Sequence, residues 1–110
     1  MRELDRALAD FDRAIELSPD FAKACIGRGA THLEMGNFER ALAAFDKAIA
    51  LGSNHARSYY NRGLAYREMG DHDRAIADFS RAIELNSNYA SAYYNRSLSR
   101  KQLGDLDDAR

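Results

Sequence analysis

The sequence predicts an all-α solenoid of 34-residue helix-turn-helix repeats, and three observations carry that prediction. The 110 residues contain one proline and are rich in Ala, Leu, Glu and Arg, which favour helix. Gly36, Gly70 and Gly104 recur every 34 residues, as do Ala7, Ala41, Ala75 and Ala109, and Phe11, Phe45 and Phe79. Residues 22–55 and 56–89 are identical at 15 of 34 aligned positions, 1–21 and 69–89 at 12 of 21, and 90–110 and 56–76 at 10 of 21. Self-similarity at one fixed period over the whole chain is the signature of stacked supersecondary units.

Each unit reads as two helices of about four turns with an apolar stripe at i, i+3, i+4 and i+7. The pattern places helices at 4–17, 22–35, 38–51, 56–69, 72–85 and 90–103. Inside the units the turns are Gly36-Asn37, Gly70-Asp71 and Gly104-Asp105. Glycine suits the left-handed residue just past a helix, and Asn or Asp suits the cap of the next one. Between units, Ser18-Pro19-Asp20, Ser53-Asn54 and Ser87-Asn88 stop one helix and offer Asp20, Asn54 and Asn88 as caps for the following one. The chain thus divides into one array: a partial repeat at 1–21 supplying a second helix, full repeats at 22–55 and 56–89, and a partial repeat at 90–110 supplying a first helix.

The unit resembles the tetratricopeptide repeat, whose cue is an aromatic, then Leu-Gly, Tyr, Ala, Phe and Pro at fixed offsets. Tyr59 and Tyr93 stand at the first aromatic, Gly29 and Gly63 at the glycine, Tyr66 at the tyrosine, and the Ala and Phe series at the rest. The departures are Cys25 at the first aromatic, Arg28, Arg62 and Arg96 at the leucine, and Ser97 at the glycine, with only Pro19 keeping the terminal proline. The resemblance implies a right-handed α-α superhelix. Gly29, Gly63, Ala41 and Ala75 then allow close helix approach within a unit, and Ala14, Ala48 and Ala82 allow the next unit to stack. Phe11, Phe45 and Phe79, with Ile15, Ile49 and Ile83 and with Leu17, Leu51 and Leu85, are the expected core.

Composition narrows the function. Sixteen basic and seventeen acidic residues leave a formal charge of −1 with a pI near 6.3, which argues against nucleic acid as a partner. A mean hydropathy of −0.57 argues against membrane insertion, and one cysteine cannot form an internal disulfide; a cytoplasmic location is the default expectation. His32, His55 and His72 stand where sister units carry Tyr66, Tyr89 and Phe38, and read as ring-shaped packing residues. No metal-ligand spacing, phosphate loop, dinucleotide motif or nucleophile elbow occurs, so no catalytic residue, metal or cofactor is expected. Cys25 occupies a core aromatic's place and reads as a buried inert thiol.

The surface remains. In stacked helix pairs the first helices line a concave groove, and the resemblance implies that a protein or peptide client lies there. Carried over by position, the resemblance implies a groove lined by Lys23, Ile26, Gly27, Ala30 and Glu34, then Arg57, Tyr60, Asn61, Leu64 and Glu68, then Tyr94, Asn95 and Leu98. Asn61 and Asn95 recur within Tyr-Tyr-Asn-Arg, and a carboxamide can donate to and accept from an extended peptide backbone without reading its sequence. This resembles the asparagine ladder of the O-linked N-acetylglucosamine transferase repeats, interrupted here by Gly27. The clamp of the heat-shock co-chaperones is matched only by Asn61, since Ile26, Ala30, Ser91 and Asn95 hold its other places. Arg57, Tyr60, Arg67 and Lys101 form a modest basic and aromatic surface that Glu34 and Glu68 offset. The alternative function is self-association. The half-repeats would complete each other between chains through Leu4, Leu8, Phe11 and Ile15 at one end and Tyr93, Leu98 and Leu106 at the other.

Overall fold

The computed structural model describes residues 2–52 and 55–108, with side chains described as far as residue 104. Its regular elements are helices throughout: α1 (Glu3–Leu17), α2 (Ala22–Glu34), α3 (Phe38–Ala50), α4 (Ala56–Glu68), α5 (His72–Leu85) and α6 (Ala90–Asp108). The fold is an all-α helical repeat. It divides into two compact units, Met1–Asn54 and His55–Arg110. In the first, α2 packs on both α1 and α3; in the second, α5 packs on both α4 and α6.

The turns within the units follow from glycine at a left-handed position. Gly36 (φ 79°) and Gly70 (φ 82°) let Asn37 N–H reach back to the His32 carbonyl at 2.8 Å and Asp71 N–H to the Tyr66 carbonyl at 2.9 Å. Each turn thereby satisfies carbonyls that the helix end leaves open. Gly52 also takes a left-handed conformation (φ 81°) after α3, and its own N–H bonds the Ile49 carbonyl at 3.0 Å; Ser53 and Asn54, expected to form that turn, lie outside the described residues.

Side-chain capping is sparser than the sequence suggests. Asp71 accepts from Arg74 N–H at 3.2 Å, but Asn37 makes no such bond and lies instead 3.5 Å from His32 Nδ1. Asp20 takes the Ser18 hydroxyl at 3.2 Å rather than capping α2, whose first flanking residue is Phe21. Near Asn88 the bond runs from its own N–H to Asn86 Oδ1, 3.2 Å.

The expected turn at Gly104-Asp105 does not form. The sixth helix runs through Gly104 to Asp108. Glycine pays only about 1 kcal/mol to stay helical, and among the described residues no helix follows α6 whose buried face would draw the chain into a turn.

The first unit's core is Ile15, Ala24, Cys25, Ile26, Ala41, Phe45 and Ala48, with Ala14 and Leu33 packed against it. The second unit buries Ala65, Ala75, Phe79, Ala82 and Ala92. Phe45 and Phe79 lie directly on helical glycines. A Cβ at Gly29 would stand 2.5 Å from Phe45 Cε1, and one at Gly63 2.8 Å from Phe79 Cε1. A ring against bare backbone is how the two helices of a pair come close enough to seal the core.

Candidate functional site

In the second unit α4 and α6 carry the polar residues that the sequence singles out. Asn61, on α4, is 8% exposed, and its carboxamide makes no side-chain hydrogen bond among the described residues. Only Ser58 Oγ, of the described side-chain polar atoms, is both sealed from solvent and without partner, so the Asn61 carboxamide keeps contact with water. Its counterpart Asn95, 9% exposed, is fully engaged as a donor. Asn95 Nδ2 donates to Tyr60 Oη and to the Ser91 carbonyl, each at 2.9 Å, and its Oδ1 accepts from Arg67. An amide nitrogen has two hydrogens, and both are used.

Tyr60 is fixed from its other side by rings. It lies 4.8 Å from Tyr89 and 5.7 Å from Phe79 between centroids. Burial, and after it Tyr60, push the Tyr89 phenol above its ordinary range, against the opposing charge of Arg57. Arg57 and Glu68 are exposed, Leu64 and Leu98 half-buried, and Tyr94 is 64% exposed. Beside this row Arg67, His72, Leu98, Lys101 and Gln102 line a depression of about 480 Å³. His72 Nδ1 is 3.4 Å from Ser99 Oγ in the same region.

Behind α4 a second set of contacts joins it to α5. Arg62 donates to Asp78 twice, Nε to Oδ2 at 2.9 Å and a terminal nitrogen to Oδ1 at 2.8 Å. Arg62 lies over Tyr59 and Tyr66, Arg74 over Tyr66, and Arg81 over Tyr59, all with centroid distances between 5.6 and 5.9 Å. These contacts pin the rear of α4 and leave its Tyr60-Asn61 face to other partners.

The first unit places its expected groove residues differently. Lys23 and Glu34 are exposed and Ala30 is half-buried, but Ile26 is buried within the core cluster and offers nothing to a ligand. Gly27 is covered by Phe11. A Cβ there would stand 2.3 Å from Phe11 Cε1. In the full repeats the equivalent Phe sits on the glycine two residues further along, Gly29 or Gly63. Phe11 has no first helix of its own repeat among the described residues and takes the next helix's Gly27 instead.

Of the residues expected at the chain's ends, Leu4, Leu8 and Phe11 are half-buried, and Ile15 belongs to the first unit's core. Tyr93 is exposed, with Arg96 over its ring at 5.4 Å, whereas the side chain of Leu106 lies outside the described residues. The histidines differ among themselves: His32 is buried, His72 half-buried and His55 exposed. Cys25 is buried and unpaired with another cysteine. Among the described residues no three His, Cys, Asp or Glu side chains converge, and no helix is long and apolar enough to cross a membrane.

Sequence reasoning did not single out the Asn95–Arg67 and Asn95–Tyr60 bonds, nor the cavity around Arg28 described below. The available signal was positional: Tyr60 and Asn95 are 35 residues apart, one residue off the repeat, which puts them side by side on successive first helices.

Comparison with known proteins agrees with the repeat reading. A tetratricopeptide repeat model matches residues 56–89, and a second model of the same repeat matches residues 29–70. The crystal structure of MamA is similar over 97% of this chain, with 28% identity and a TM-score of 0.86. This chain spans 63% of that protein's length. The Arabidopsis OM64 TPR domain is similar over 90% of this chain and 82% of its own, at 27% identity and a TM-score of 0.87. The first TPR of Spaghetti (RPAP3), solved bound to an HSP90 peptide, shares the fold over 93% of this chain and 81% of its own, at 20% identity and a TM-score of 0.90. A search of curated protein sequences gave no significant match. The two repeat matches span residues 29–89 between them, and the chain belongs to the tetratricopeptide-repeat family.

Proposed function

We propose that this chain is a non-catalytic protein-interaction module that takes an extended peptide or protein segment along the Tyr60-Asn61 face of α4 and the Tyr94-Asn95 face of α6. The family as a whole is an interaction scaffold, which supports the general reading. The observation that carries the particular one is Asn61: a residue 8% exposed whose carboxamide has no side-chain partner among the described residues and keeps access to water. A carboxamide that has only water to bond to can exchange it for a peptide amide, at a net gain of about 0.5–1.5 kcal/mol per hydrogen bond. Asn95 has a different role in this reading. With both hydrogens given to Tyr60 and Ser91 it holds the tyrosine and Arg67 in place, and its free acceptor lone pair alone faces a client. Tyr94 supplies exposed ring area and Leu64 and Leu98 an apolar floor.

The test is selection of binders from a displayed library of random peptides, followed by affinity measurement on the wild type and Asn61→Ala. Loss of one or two backbone hydrogen bonds should weaken the selected peptides about tenfold, with the thermal melt unchanged. Equal affinity for both proteins would remove Asn61 from the mechanism.

Association of copies is the second reading. It rests on α6, where Tyr93 is 44% exposed and carries Arg96 over its ring as Tyr59 carries Arg62 in α4, the surface that α5 covers. Sedimentation equilibrium over a hundredfold dilution decides it: a concentration-dependent mass lowered by Tyr93→Ser supports it, and a mass fixed near 12.4 kDa excludes it.

A further inference from the structure

Two arginines of the second unit are neutralised by groups that the first unit lacks. Arg62 is held by both oxygens of the buried Asp78, and Arg74 pairs with Asp71 at 3.3 Å and lies over Tyr66. Their counterparts 34 residues earlier are Arg28 and Arg40, and the three neutralising positions hold Ala44, Asn37 and His32. Arg28 keeps one carboxylate contact, to Asp12 of α1 at 3.4 Å, and that carboxylate is half exposed. Arg40 makes no ion pair among the described residues.

Space is left where the carboxylate would have been. A cavity of about 400 Å³ opens at this point, walled by Arg28, Arg40, His32 and Asp12 over a floor that includes Ala43 and Ala44. Two guanidinium groups and one carboxylate give the cavity a net charge of +1 with the imidazole neutral. The guanidinium fork is shaped for two parallel bonds to an oxyanion, and one long contact to Asp12 leaves most of Arg28's donors unused. Ala44 is itself buried, and its methyl group offers Arg28 no oxygen in the place of the Asp78 carboxylate.

We propose that this cavity binds a small molecule bearing an oxyanion, a carboxylate or a phosphate, whose charged group sits beside Arg28 in the place that the Asp78 carboxylate takes beside Arg62. Arg40 adds the second positive charge. The site is independent of the α4 and α6 faces and carries a different kind of ligand from the peptide proposed there.

His32 reports on it. Burial first, then Arg40 and Arg28, lower its pKa, against Asp12. Arg28 shares its helix, Arg40 faces it from α3, Asp12 from α1, and Asn37 touches its Nδ1. An anion seated among these groups reverses the effect of the arginines, so the imidazole should take up a proton at higher pH than in the empty site.

The experiment follows the ring signals of His32 by NMR in the full chain, at constant ionic strength in chloride. It is titrated with inorganic phosphate in one arm and with acetate in the other. The expected result is a saturable shift of the His32 signals in the low-millimolar range or below, with a rise in its apparent pKa and no matching change at His55 or His72. Saturation by phosphate alone assigns a phosphate-bearing ligand, and saturation by acetate assigns a carboxylate. Ala44→Asp supplies the carboxylate from within and should abolish the response. Arg28→Gln, with helicity checked, should weaken it at least tenfold, and Asp12→Asn should strengthen it. A linear, unsaturable drift at all three histidines, or an undiminished response in a folded Arg28→Gln, would overturn the site.

Discussion

Gly27 and Asn61 occupy the same place in successive repeats, yet one lies under a phenyl ring and the other meets solvent with an unpaired carboxamide. The difference originates one helix earlier. Phe45 and Phe79 each lie on the glycine of their own pair, Gly29 and Gly63, whereas Phe11 settles on Gly27 of the neighbouring helix. A side chain at position 27 would meet that ring, so the glycine that interrupts the asparagine series is a packing requirement of the first unit. An array can therefore lose a binding position in one unit without any change in period. Repeat equivalence fixes where a residue stands along its helix, and the neighbour decides whether it can be used.

The largest expected effect separates the three phenylalanines. Phe45→Ala and Phe79→Ala remove fully buried rings from glycine seats and should each cost roughly 3–5 kcal/mol in chemical denaturation. Phe11→Ala removes a half-buried ring and should cost less, roughly 1–2 kcal/mol. The comparison sharpens in a double-mutant cycle. Gly27→Ala should cost roughly 1–3 kcal/mol through overpacking in the wild type and much less in the Phe11→Ala background, where the ring is gone. Additive costs would mean that Phe11 does not define the Gly27 position.

Much of this fold was legible because its punctuation is local. Gly36 and Gly70 take left-handed conformations and close their turns with backbone bonds that need only the glycine and the preceding helix. Gly104 is followed by an aspartate, as Gly70 is, but lacks a following helix among the described residues and stays helical. The candidate site was legible at Asn61 and only partly elsewhere. Ile26 shares the groove spacing yet is drawn into the core by Ile15 and Phe45, and the engagement of Asn95 depends on Tyr60 and Arg67 from another helix. Those are long-range contacts that periodicity does not encode. The cavity beside Arg28 lies between these extremes: aligning the units exposes Ala44 against Asp78 and His32 against Tyr66, but only the structure puts both positions around one hollow with Arg28 and Arg40.

The smallest effect tests the same contrast through pH. His32 stands where the second unit has Tyr66, and burial with Arg40 and Arg28 beside it lowers its pKa in the folded state. The unfolded chain, with an ordinary imidazole near pH 6.5, then binds more protons than the folded one as the medium becomes acidic. Stability rises with pH wherever the unfolded state holds more protons. His32 therefore contributes no penalty above that range, and an increasing one as the pH falls through about 6.5 toward the lower folded value. Below the folded value both states are protonated and the penalty levels off. Denaturation midpoints measured across this interval for the wild type and for His32→Tyr, which installs the second unit's residue, should converge at neutral pH except for a constant offset and diverge on acidification. Parallel curves would mean that the arginines do not oppose the imidazolium, and would also weaken the case for an uncompensated positive site around Arg28. A divergence that vanishes in phosphate, but not in chloride at equal ionic strength, would tie the titration of His32 to an anion in the cavity.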